Sequence, residues 1–95
     1  NYALLSDVHA VKKDGVYHRG MEGFCAEQNM VQVPLAVLSE WERMECDHNE
    51  IWIVENPSIF ARLCGEYPCM CMNGQPRLAG LLVLDLLAEA GTVIH

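Results

Sequence analysis

The segment Ile51-Trp52-Ile53-Val54-Glu55-Asn56-Pro57 joins a continuous β-branched and aromatic run to a helix start. Four consecutive apolar residues read as a strand buried on both faces, the pattern of a parallel sheet covered by helices. Asn56 is a capping residue type and Pro57 fits the first helical position, so a helix is expected from Pro57 to about Glu66. The alternation then repeats. Pro68 opens a second buried strand, Cys69 to Met72, Asn73-Gly74 is a turn, and Pro76 starts a long helix to about Ala90. Gly91 ends that helix and Thr92 to Ile94 begins a third strand. Strand, helix, strand, helix, strand with short connections predicts an α/β fold, Rossmann-like, with a mostly parallel sheet and flanking helices.

Upstream the pattern is less regular. Asn1 to Gly20 mixes short apolar pieces with a turn at Asp14-Gly15 and reads as an irregular N-terminal segment, with residues 21–95 as the domain proper. A hairpin about Asp14-Gly15 would pair Val11 with Val16-Tyr17. A short helix is expected from Met21 to Gln28, and a brief strand from Met30 to Val33 that Pro34 ends. Leu35, Leu38 and Trp41 or Glu42 fall at helical spacing and predict a helix from Pro34 to about Met44. Glu45 to Glu50 is a polar connection.

Ninety-five residues allow one domain. No apolar stretch has the length of a membrane span, and Asn1 to Asp7 lacks the basic start and apolar run of a signal peptide, so a cytoplasmic, membrane-free chain is expected. The net charge of −7 opposes non-specific binding to nucleic acid, which requires Lys and Arg against phosphate. Nucleic acid would therefore need metal ions or a basic partner. Five cysteines, an odd number without a secretory signal, read as reduced thiols. Between Pro76 and Ala90 the polar positions Arg77, Asp85 and Glu89 share one narrow sector, and the rest of the helix is apolar. That surplus, with an ending at His95 barely inside a new strand, predicts a domain truncated at its C-terminal end. A homo-oligomer could bury the same surface.

The strongest candidate for chemistry is Glu55, a carboxylate at the carboxyl end of a parallel strand, where open α/β sheets bind ligands. Such a group can hold a divalent cation, or simply accept backbone N–H bonds at the helix start. Asn73-Gly74-Gln75-Pro76 is placed at the same edge, where Gly74 permits a close backbone approach. Cys69 and Cys71 alternate on one strand face, but no second pair at zinc spacing completes four ligands, so they read as core. None of the three serines lies in a nucleophile elbow, and the four histidines show no metal or dyad spacing. Glu40, Glu42, Glu45, Asp47 and Glu50 read as a solvated charged face.

Three pieces carry a resemblance: Ile53-Val54-Glu55-Asn56-Pro57 with Phe60, then Asn73-Gly74-Gln75-Pro76, then Leu81-Leu82-Val83-Leu84-Asp85-Leu86-Leu87 before Gly91. From Ile51 to His95 the chain resembles a Toprim-type carboxyl-terminal domain, DUF2399-like, of proteins encoded beside condensin-like (SMC-type) ATPases in Wadjet anti-plasmid defence operons. More distantly it is similar to the A subunit of topoisomerase VI. Val31 to Met44 joins the resemblance loosely, and residues before Gly20 do not. The resemblance implies Mg²⁺-dependent cleavage of DNA, with Glu55 as metal ligand or general acid/base and Asn56, Gly74 and Gln75 shaping the site. It also implies SMC-like complex subunits as partners, and a second metal-binding element, Asp-x-Asp, after a later strand. No Asp-x-Asp occurs in this sequence. One carboxylate cannot build a divalent site, so the chain as given is expected to be catalytically incomplete. The alternatives are a non-catalytic α/β protein-interaction module and a small-molecule-binding domain using the same crevice.

Overall fold

The computed structural model describes residues 1–72 and 78–95. In chain order the elements are β1 (Tyr2–Ser6), β2 (Val8–Lys12), α1 (Arg19–Ala26), β3 (Val31–Pro34), α2 (Leu35–Leu38) and β4 (Trp41–Cys46). They continue with β5 (Glu50–Val54), α3 (Pro57–Leu63), β6 (Cys69–Cys71), α4 (Leu78–Glu89) and β7 (Val93–Ile94).

The segment quoted first forms β5, with parallel neighbours on both sides: Trp52 lies opposite Cys69 of β6, and Ile51 opposite Ile94 of β7. The full strand order is β3-β1-β6-β5-β7. β1 runs antiparallel to both β6 and β3, and these two ladders together pair seven residues against five in the two parallel ones. The expected mostly parallel sheet is therefore corrected: the sheet is mixed and antiparallel pairing predominates. The reason lies in the chain path. A local apolar pattern marks a strand but carries no direction, and β1 enters from outside the strand–helix series, beside β6, without a crossover.

Asn1 to Gly20, read as irregular, in fact holds two strands and five of the buried apolar residues: Ala3, Leu5, Val8, Ala10 and Val11. Asp7, alone between β1 and β2, takes the left-handed conformation at φ 58° and turns the chain out of the first sheet. β2 then pairs with β4 in a two-stranded antiparallel sheet. The Asp14-Gly15 turn forms, with the Lys12 N–H donating to the Val16 carbonyl at 2.9 Å and a single bridge between Val11 and Tyr17.

The helix expected from Pro34 to Met44 is corrected too. Only Leu35–Leu38 is helical, and Trp41–Cys46 is strand β4. Val11 pairs with Arg43 and Lys12 with Trp41, so Glu42 is an extra residue in the ladder, a β-bulge. The bulge resets the alternation, and Trp41, Met44 and Cys46 are all buried. Three-residue spacing from Leu38 through Trp41 to Met44 therefore imitated a helix while belonging to a bulged strand.

From Ile51 onward the elements fall close to expectation. Asn56 caps α3, its Oδ1 accepting the Ser58 N–H at 2.8 Å, and Gly91 ends α4 at φ +75°. α4 buries Ala79, Gly80, Val83 and Leu87, and packs with Leu5, Ile51 and Met70 in the main core. On the other sheet face Phe60 of α3 packs with Cys69 and Cys71. β6 thus feeds both faces by alternation. β5 does so less completely: Ile51 and Ile53 join the main core and Val54 the Phe60 cluster, but Trp52 is 40 % exposed. Among the described residues no helix is long and apolar enough to cross a membrane.

Candidate functional site

Glu55 follows directly on β5 and precedes the cap of α3, and it is exposed. Backbone pairing fixes its neighbourhood. The Met72 N–H donates to the Val54 carbonyl at 2.8 Å, and the Cys71 thiol lies 3.8 Å from the Glu55 carbonyl oxygen. The exits of β5 and β6 therefore lie side by side. β5 leads to α3, which packs with Cys69 and Cys71, while β6 leads to α4, which packs with Met70 on the opposite face. Adjacent parallel strands whose connections part to opposite faces leave a crevice at their carboxyl ends, the ligand-binding position of open α/β sheets. Glu55 follows directly on the β5 end of that position.

Asn56 is placed beside it, but its side-chain oxygen is engaged in the α3 cap, so it shapes the turn that presents Glu55. Gly74 and Gln75, expected at the same edge with Asn73 and Pro76, lie outside the described residues. The described residues bring no three His, Cys, Asp or Glu side chains together in a way that could hold a metal ion. Glu55 alone offers fewer donors than a divalent cation takes.

A second polar cluster escaped the sequence. His9 of β2 lies between two carboxylates, its Nδ1 2.6 Å from Glu22 Oε1 and its Nε2 3.4 Å from Asp47 Oδ1. Burial works against the charged imidazole, but the hydrogen bond and charge of Glu22, joined by Asp47, outweigh it and raise the His9 pKa above 6.5. Beside it the Tyr17 hydroxyl donates to Glu45 at 2.6 Å and Arg43 Nε donates to the same carboxylate at 2.8 Å. These bonds, Tyr17 first, hold Glu45 below its ordinary range. Burial pushes the neighbouring Cys46 thiol up to about 12 and the Cys25 thiol to about 11, so neither is a thiolate near neutral pH. All five cysteines are free.

No curated protein and no solved structure matches the chain. A family model does match, over residues 31–95, more than half of the sequence, and it covers the crevice and every element from β3 to β7. Its description is "Protein of unknown function C-terminus". With the Glu55 segment, α3, β6 and α4 all inside that match, the chain belongs to the DUF2399 family.

Proposed function

We propose that this chain is part of a Toprim-type, Mg²⁺-dependent DNA-cleaving subunit that works beside SMC-like ATPases in anti-plasmid defence, with Glu55 as metal ligand or general acid/base. The observation that carries the proposal is the exposed Glu55 carboxylate just past the adjacent carboxyl ends of two parallel strands. Family membership and the Toprim resemblance of the same segment support it. Mg²⁺ would stabilise charge developing on the phosphate and supply activated water. The described donors do not complete a site for it. What this chain contributes is a carboxylate held at fixed height by the β5–β6 ladder and the Asn56 cap. With a net charge of −7, DNA contact would fall to the metal and to basic surface on a partner.

The test is cleavage of supercoiled plasmid by the full-length protein carrying this sequence, together with its partner subunits. Glu55→Gln is expected to lower Mg²⁺-dependent cleavage at least 100-fold, a loss in the range of a removed general acid or base, and chelation with EDTA to abolish it. Undiminished cleavage by the variant would remove the proposal. A second reading, a non-catalytic interaction module, draws on α4, where Leu78 is 60 % and Leu81 47 % exposed. Under that reading Glu55→Gln changes nothing, whereas Leu81→Glu abolishes assembly with the partner subunit.

A further inference from the structure

The opposite end of β5 carries a different concave surface, roughly 16 Å from Glu55 along the strand at about 3.3 Å per residue. Where β5 and β6 begin, a cleft of about 480 Å³ opens between the β1–β2 corner and the segment leading into β6. Its volume lies in the range of built ligand sites. One wall is aromatic. Trp52 is 40 % and Tyr67 47 % exposed, their rings meet edge to face at 6.4 Å, and His95 stacks on Trp52 at 4.3 Å. Two large aromatic side chains are thus held in fixed mutual geometry at a surface rather than in a core.

The rim has one sign. Asp7, Asp47, Glu50 and Glu66 line the cleft, and among the described residues no Lys or Arg does and His48 is its one imidazole. Two of these acids have partial partners, Asp47 with His9 at 3.4 Å and Glu50 with His95 at 3.6 Å. Burial, and after it the charge of Asp47, holds the Asp7 carboxyl above its ordinary range although Ser6 opposes the shift. A cation entering there relieves that cost. Among the described residues no three donors converge as a metal cage. The acids are instead spread along the rim, which suits a cation borne on an extended chain. Aromatic faces next to carboxylates favour a planar guanidinium over an ammonium, since it stacks and donates N–H bonds in plane at once.

We propose that this cleft docks an arginine-bearing segment of a partner protein, its guanidinium against Trp52 and Tyr67 and its N–H groups toward the rim carboxylates. Charge complementarity selects this occupant: an aromatic wall alone would take many ligands, and the acidic rim restricts it to cations.

Fluorescence anisotropy tests the proposal with labelled hexa-arginine and hexa-lysine peptides, added to the whole chain at 0.15 M salt. The arginine peptide is expected to bind at least fivefold more tightly than the lysine peptide. Glu50→Gln with Glu66→Gln is expected to weaken it at least tenfold. Glu40→Gln with Glu42→Gln removes the same charge outside the cleft and is expected to change it less than twofold. Tyr67→Leu, at a half-exposed position, is expected to abolish the preference for arginine, and Tyr67→Phe to retain it. Absence of binding, equal affinity for the two peptides, equal weakening by both charge pairs, or an unaffected Tyr67→Leu variant would each overturn the proposal.

Discussion

His9 shows how a single residue couples distant parts of this chain. Its two ring nitrogens face Glu22 on α1 and Asp47 in the turn before β5, so the protonated ring has a carboxylate on each side. Because its folded pKa is raised above 6.5, its stabilising effect is fully present below that unfolded value and is lost as pH rises through the higher folded one. The side chains are part-exposed, so the magnitude expected is that of a screened pair, about 0.5–1 kcal/mol. Urea unfolding at pH 5.5 and 8.5 checks it: the stability gap between the natural chain and His9→Gln is expected to be larger at the lower pH. An identical gap at both would show that the ring is not held as an imidazolium. None of this was legible in the sequence, where His9, Glu22 and Asp47 stand far apart and share no motif. Glu55 was legible, because the strand before it and the cap after it are local signals and only their junction had to be found.

At the scale of elements, those that announce themselves by local caps and breakers are where they were expected, whereas β4, which tertiary pairing sets, is not. Asn56-Pro57 starts α3 and Gly91 ends α4, each through a bond or backbone angle that its residue type makes locally. Asn56→Ala is expected to cost about 1 kcal/mol, the usual value of a lost N-cap, and Asn56→Asp to cost little, because a carboxylate accepts the same Ser58 N–H. Chemical denaturation of both variants checks this. If the two lose equal stability, the cap bond is not what Asn56 contributes. β4 shows the other case. Its bulge at Glu42 exists only because β2 lies alongside, and that ladder turns a helix-like spacing into a strand with Trp41, Met44 and Cys46 buried. Local propensity does not contain a partner strand contributed from 30 residues upstream, and so the periodicity pointed to the wrong element.

For the molecule as a whole, the segment that matches the family is not expected to stand alone. The match begins at residue 31, yet β3 has β1 as its one partner in the sheet and β4 has β2 as its one partner in the second. β1 also covers the free edge of β6, and Leu5, Val8 and Ala10 are fully buried within the main core. Without residues 1–12 the polypeptide would expose three strand edges and lose the apolar contacts that β1 gives α4, a cost of the same order as the roughly 5–15 kcal/mol that holds a domain folded. A polypeptide of residues 31–95 is therefore expected to lack a cooperative thermal transition and to aggregate or remain collapsed. Adding a synthetic peptide of residues 1–20 in excess is expected to restore native near-ultraviolet circular dichroism, because the lost strands are contiguous and the new ladders are antiparallel. A cooperative transition in the shorter polypeptide, within a few degrees of that of the whole chain, would mean that β1 and β2 merely decorate a core formed without them. In that event the antiparallel half of the sheet would be an accessory, and the Glu55 crevice would rest on β5, β6 and β7 alone.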